Sequence, residues 1–181
     1  MIPSDHFVRF YNEVFKFLDE KGALKPYYGE IARHQELHCL ETFTRNGLRG
    51  MYDYWEHIRI EENCDMVLTL HEHMLESHMR KCPSLSKVID NDAGPCLRYC
   101  EHCPGWVFPL LAKCGYYSVY DLVSLTEPEC REYIFDNRAD AEAKWRELTA
   151  GDRDQTRVRN NFAYFDQKDA PAAVDGSGAK K

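Results

Sequence analysis

The sequence predicts a single α+β domain over residues 1–166, and two observations lead to this fold class. Over roughly the first 60 residues, apolar side chains recur at the spacing of amphipathic helices. Between residues 116 and 135 the pattern changes to aromatic and β-branched residues, which favour strands. A chain of 181 residues with 44% hydrophobic residues is long enough for one domain with its own core.

Three helices are expected at the start of the chain. The first begins at Pro3-Ser4, runs to Gly22 and carries six core-facing residues: Phe7, Phe10, Tyr11, Val14, Phe15 and Leu18. The second covers about residues 28–45 and ends at Asn46-Gly47, which readily takes the left-handed conformation of a helix C-terminus. The third covers about residues 48–62 and presents one apolar face: Met51, Tyr54, Trp55 and Ile58.

Residues 64–82 are open to two interpretations. Their Leu, Met, His and Glu content favours a helix, whereas the alternation of Met66, Leu68 and Leu70 with their neighbours is typical of a strand. A hairpin turning near Glu72-His73 would lack the Asn-Gly or Asp-Gly pair that usually marks one.

The second half is predicted to contain a short helix, a hairpin and a terminal helix. "WVFPLLAKCG" reads as a helix that ends at Gly115, with Pro109 in its first turn. "YYSVYDLVSL" and "ECREYIF", separated by residues 126–128, predict an antiparallel hairpin. "ADAEAKWREL" predicts the last helix, with Asn137 or Asp140 near its start. The small, polar residues 167–181 predict a disordered tail.

Composition narrows the classes of partner. The chain lacks a long apolar run and a signal-like start, which predicts a cytoplasmic protein without a membrane partner. A net charge of −7 without a basic block argues against nucleic acid. Small molecules or proteins are the expected partners, and a homo-oligomer is left open. In a reducing compartment the eight cysteines are expected to be apolar fillers, metal ligands or reactive thiols.

Four cysteines within residues 82–103 form the candidate metal set: Cys82, Cys96, Cys100 and Cys103. The last three have the spacing C-x3-C-x2-C, which suits an iron–sulfur cluster. The same spacing occurs in radical S-adenosylmethionine enzymes, but too few residues follow it for their barrel. Zinc held by Cys82, Cys100, Cys103 and either Cys96 or His102 is the other option. Buried small residues in a proline-rich loop explain the same pattern without a metal.

Cys82 is also the strongest candidate nucleophile. Pro83 follows it, so a helix that begins there would direct backbone N–H groups at its sulfur and lower the pKa of the thiol. The general base would be His102 or His78. A cysteine near a helix start without any chemistry is an equally good interpretation.

The loop between these cysteines carries groups that could bind a substrate. Arg98 could hold a carboxylate in a forked geometry, and Tyr99 and Asn91 could donate hydrogen bonds. A salt bridge from Arg98 to Asp90 or Asp92 is the alternative.

Four stretches together resemble the bacterial L-2-amino-thiazoline-4-carboxylic acid hydrolase-like family: "YWEHIRIEENCDM", "KCPSL", "RYCEHCPGWVFPLLAKCGY" and "LVSLTEPECREYIF". The resemblance spans about residues 50–135. It implies strands for residues 66–81, and therefore a sheet of two hairpins that flank a cysteine-rich helical segment. Cys96 and the acidic loop from Asp90 to Asp92 have no place in the family pattern.

The resemblance also implies an activity. Enzymes of the family open a thiazoline ring by hydrolysis to an N-carbamoyl cysteine. The expected function is hydrolysis of a non-peptide C–N bond in a small, carboxylate-bearing substrate that is a cyclic amidine or resembles a thiazoline, with Cys82 and His102 as catalytic residues. The alternative is a non-catalytic protein that uses the cysteine set to bind zinc, an iron–sulfur cluster or a small ligand.

Overall fold

A computed structural model describes residues 3–90, 94–124, 126–151 and 154–166, except the side chains of residues 3–5 and 35–38. It has the predicted α+β class, with helices packed against a five-stranded antiparallel sheet. The predicted disordered tail, residues 167–181, lies outside the described residues.

Helices and strands occur in short groups along the chain. The α-helices are α1 Pro3–Glu20, α2 Leu24–Glu61, α3 Pro83–Asp90, α4 His102–Cys114, α5 Arg138–Thr149 and α6 Ala163–Asp166. The strands are β1 Asp65–Leu70, β2 Met74–Lys81, β3 Tyr117–Asp121, β4 Cys130–Phe135 and β5 Val158–Asn160.

Helix α2 is interrupted where the sequence predicts a boundary between two helices. Gly47 has φ 58° and ψ −144°, a conformation outside the helical region that glycine adopts at little cost. The predicted break at Asn46-Gly47 is therefore confirmed, although the helix resumes without a connecting loop.

Helix α1 buries fewer of its apolar residues than predicted. Phe15 is buried against α2 and α3, but Phe7 and Phe10 are 63% and 62% exposed. The expectation that both face the core is wrong, because α1 packs against the domain along one side only and these two rings lie beside that contact.

The sheet contains both predicted hairpins and one further strand. Its order is β1-β2-β4-β3-β5, and every neighbouring pair is antiparallel. Residues 66–81 form strands, as the resemblance implies. The expected four-stranded sheet gains β5, which is only three residues long and has no strand-like pattern of its own.

Helix α4 starts earlier than predicted. It begins at His102, so Pro109 lies in its interior rather than in its first turn. The proline costs one backbone hydrogen bond there, and burial of neighbouring residues such as Leu110 and Leu111 offsets this loss. The helix ends at Gly115 with φ 85°, as predicted.

The core lies on both faces of the sheet. On one face, α2 and α4 pack over Leu75 and Ile134. On the other face, α5 packs over Val119 and Tyr133. In the described part of the chain, no helix is both long and apolar enough to cross a membrane.

Candidate functional site

Four thiols from separate parts of the chain meet between α4 and the sheet. Cys82 lies between β2 and α3, Cys100 in the turn before α4, Cys103 in the first turn of α4, and Cys130 at the start of β4. These residues, here called the four-thiol cluster, line a void of about 20 Å³. Such a volume has room for about one water molecule.

Cys96 does not belong to this cluster. Its backbone N–H donates to Asn12 Oδ1 at 2.8 Å, and the Asn12 amide donates to the carbonyl of Gly94 at 3.0 Å. These bonds hold Cys96 against α1, where it packs with Phe15 and Tyr28. The structure therefore separates Cys96 from the predicted metal set and places Cys130 beside the other three cysteines.

The predicted metal site is not supported by the geometry. Among the residues that the structure describes, no three side chains of histidine, cysteine, aspartate or glutamate are positioned to hold one metal ion. Cys82, Cys100 and Cys103 line the same void, but their sulfurs do not form a closed set of ligands.

Burial keeps the clustered thiols protonated. It raises the pKa of Cys82 to about 11 and the pKa of both Cys100 and Cys103 to about 12. Helix α3 does begin directly after Cys82, and the N–H of Leu85 donates to its sulfur at 3.5 Å. That contact favours the thiolate, but loss of hydration outweighs it, so the pKa rises instead of falling.

His102 contacts one thiol and has a defined orientation. Its Nδ1 lies 2.5 Å from the carbonyl oxygen of Tyr99, which can only accept, so Nδ1 carries the proton. The other ring nitrogen, Nε2, lies 3.3 Å from Cys103 Sγ and is left to accept the thiol proton. Burial lowers the pKa of His102 to about 4, so the imidazole is neutral at neutral pH.

The predicted second base, His78, has a different partner. Its Nε2 lies 2.8 Å from a carboxylate oxygen of Glu129, whereas Nε2 of His102 lies 3.3 Å from Cys103 Sγ. His102 is therefore the better placed base.

A larger cavity adjoins this pair. It has a volume of about 590 Å³ between α1, α3 and α4, and is here called the thiol cavity because Cys82 and Cys103 line it together with His102. Aromatic rings form much of its wall: Phe7, Tyr11, Phe15, Tyr99 and Trp106. Lys87 and Glu62 bring one charge of each sign to the lining.

Of the three predicted substrate-binding residues, the structure places one at the thiol cavity. Tyr99 lines the thiol cavity, and its hydroxyl lies 2.5 Å from Ser84 Oγ. Arg98 does not line this cavity. It forms salt bridges with Asp19 and Glu101 at 2.9 and 2.7 Å, which supports the salt-bridge interpretation with these partners, while the predicted partner Asp92 lies outside the described residues. Asn91 lies outside the described residues.

Three residues near the cluster were missed by sequence reasoning: Cys130, Tyr120 and Glu132. Tyr120 Oη lies 3.4 Å from Cys130 Sγ. Glu132 is 7% exposed and accepts a hydrogen bond from Ser118 Oγ at 2.9 Å, while burial raises its pKa to about 7. The sequence could have indicated two of them. In the predicted strand "CREYIF", alternate residues share a face, so Cys130 and Glu132 lie on the same side as the apolar Ile134.

Comparison of the chain with family models, with curated proteins and with solved structures finds no match.

Proposed function

We propose that the chain is a small-molecule hydrolase that acts on a non-peptide C–N bond of a compact, carboxylate-bearing cyclic amidine. The observation that carries this proposal is the 3.3 Å contact between Cys103 Sγ and His102 Nε2 at the wall of the thiol cavity. Enzymes activate cysteine nucleophiles with an adjacent base that a third group orients. Here the carbonyl of Tyr99 orients the imidazole.

Cys103 is a better nucleophile candidate than Cys82 for a geometric reason. Both thiols line the cavity, but the contact of His102 is with Cys103. The contact of Cys82 is with the backbone N–H of Leu85, which cannot remove a proton. Cys82 remains the second thiol to test.

The lining of the thiol cavity suits a small zwitterion. A volume of about 590 Å³ falls within the range of small-molecule sites, and the aromatic wall would cover a flat ring. Lys87 offers a cation for the carboxylate, and Glu62 offers an anion for a protonated amidine. Arg98 has no part in this arrangement.

The reaction would proceed in two balanced steps. Cys103 Sγ bonds to the amidine carbon, and its proton passes to His102 Nε2. The ring C–N bond then breaks, and the departing nitrogen takes that proton, which leaves a thioimidate on Cys103 and a free amine. Water adds to the thioimidate carbon as the C–S bond breaks. One proton of the water goes to the thioimidate nitrogen and the other returns to sulfur, which releases an amide.

The protonated resting state of Cys103 shapes the first step. Its pKa of about 12 and the low pKa of His102, about 4, disfavour a standing thiolate–imidazolium pair. The proton must therefore leave the thiol while the C–S bond forms, as general-base catalysis allows.

Turnover of defined substrates tests the proposal. We expect the purified chain to add one water to 2-imidazoline-4-carboxylate, in which both ring bonds to the amidine carbon are C–N bonds, and mass spectrometry would detect the product. Cys103→Ser should lower kcat by at least about 100-fold. Cys114→Ser is the matched control, because that cysteine ends α4 and lines neither the void nor the cavity. Absence of turnover in the unsubstituted chain, or full activity in Cys103→Ser, would contradict the proposal.

A second candidate function is ligand or metal binding without catalysis. The meeting of four thiols at one void favours it, since thiols are the ligands that zinc and iron–sulfur clusters prefer. A metal would require the sulfurs to draw closer together, because the described side chains form no set of three ligands. Elemental analysis of the same preparations separates the two functions. Bound metal that is lost in Cys130→Ser but kept in Cys96→Ser would support the second candidate, because Cys96 lies outside the cluster.

A further inference from the structure

A second cavity lies on the other side of helix α4. It has a volume of about 650 Å³ between the start of α2, the first turns of α4 and the β5–α6 segment, and is here called the α2/α4/β5 groove. The groove uses Pro104, Gly105 and Phe108 of α4, whereas the thiol cavity uses Cys103 and Trp106 of the same helix. The two cavities share no lining residue.

The groove has a cationic rim although the chain as a whole has a net charge of −7. Lys25, Arg98 and Arg159 line it, and Glu101 is the one acidic residue among the lining residues that the structure describes. Glu101 contacts both arginines, at 2.7 Å from Arg98 and 3.4 Å from Arg159. Arg98 also has Asp19, at 2.9 Å, so these five charged groups sum to one positive charge.

Lys25 and the N-terminus of helix α2 account for the excess positive charge of the groove. Within the described part of the chain, Lys25 makes no ion pair that would neutralise it. The first turn of α2 contains no acidic residue, and no side chain caps its N-terminus. The positive end of the helix dipole therefore adds to the charge of Lys25 at this side of the groove.

The rest of the lining is mostly apolar, with Asn160 as a polar exception. Phe108 and Tyr164 both line the groove. Phe108 is 6% exposed because it also packs against Tyr120 and Leu122, whereas Tyr164 is 40% exposed and has the more accessible ring.

Aromatic side chains bind flat rings by stacking and by burial of apolar area. We propose that the α2/α4/β5 groove binds an aromatic monoanion, with its ring against Phe108 and Tyr164 and its carboxylate or sulfonate group facing Lys25 and Arg159. This site is independent of the proposed hydrolase activity.

Titration with 8-anilino-1-naphthalenesulfonate, an aromatic monoanion, tests the proposal by fluorescence. Saturable binding is expected, and Lys25→Gln and Arg159→Gln should each weaken it by up to about fivefold, since each removes an attraction worth up to about 1 kcal/mol. Added salt should weaken binding to the unsubstituted chain as well.

Three control variants locate the bound probe. Lys21→Gln removes a nearby cation outside the groove, and Lys87→Gln removes the cation of the thiol cavity. Phe10→Ser removes an exposed ring of α1 that could attract the probe non-specifically. All three should bind as the unsubstituted chain does. Unchanged affinity in Lys25→Gln and Arg159→Gln, or a loss in Lys87→Gln or Phe10→Ser, would overturn the assignment.

Discussion

His102 illustrates how one buried side chain can receive its chemical character from its neighbours. Its ring packs against Phe15, Tyr99 and Trp106, which removes water from both nitrogens. The carbonyl of Tyr99 holds the proton on Nδ1, so the free lone pair is on the nitrogen nearest Cys103. A neutral, oriented imidazole is therefore present over a wide pH range.

This environment predicts an unusual pH profile for hydrolysis. Because the pKa of His102 is lowered to about 4, kcat/KM should rise with pH around pH 4 and stay level through neutrality. A solvated histidine base would place that rise near pH 6.5. Measurement of kcat/KM between pH 3.5 and 8 distinguishes these cases, and a midpoint near 6.5 would mean that another histidine is the base.

At the scale of secondary-structure elements, the sequence predicts helices and strands well where neighbouring residues alone determine the backbone conformation. The glycines at 47 and 115 end helical segments by their backbone conformation, which any chain with the same residues would favour. Strand β5 could not be predicted in this way, because its three residues are ordered by pairing with β3, which is distant in the chain. The same limit applies to the site. Cys130 is brought beside Cys82 by the pairing of β2 with β4 and by the bond from the Cys82 N–H to the carbonyl of Pro128, both between residues distant in the chain.

The break in α2 predicts that alanine substitution of two glycines in the same helix has opposite effects on stability. Gly47→Ala should destabilise the fold by about 1–3 kcal/mol, because its conformation is nearly restricted to glycine. Its new Cβ would also lie 2.7 Å from the hydroxyl of Tyr116. Gly29→Ala is the matched control within the same helix, where a Cβ meets nothing within 4 Å. That variant should stabilise by up to about 1 kcal/mol. Urea unfolding measures both, and equal effects would contradict the role given to Gly47.

On the scale of the whole molecule, two buried ionisable groups oppose each other in their effect on folding. Glu132 lies on the α4 face of the sheet and has its pKa raised to about 7, whereas His102, in α4, has its pKa lowered to about 4. Each is neutral in the folded chain between these two values. The domain therefore folds around a protonated acid and an unprotonated base, with the thiols of Cys103 and Cys130 neutral beside them.

The signs of the two contributions follow from linkage. For Glu132, stability is fully present below the unfolded pKa of about 4.5 and is lost as pH rises through about 7. For His102, stability is fully present above the unfolded pKa of about 6.5 and is lost as pH falls through about 4. Each difference corresponds to about 3 kcal/mol, so between pH 4 and 7 the two slopes nearly cancel.

Removing one group should expose the slope of the other. In Glu132→Gln, the free energy of unfolding should rise by about 3 kcal/mol from pH 4 to pH 7 relative to the unsubstituted chain. In His102→Gln it should fall by a similar amount over the same range, whatever packing the substitution costs, because only the slope is compared. Exposed pairs such as His73 with Asp136 add the same background to all three proteins. Urea unfolding at half-unit pH steps measures the slopes, and parallel curves for the three proteins would show that neither group is held neutral by burial.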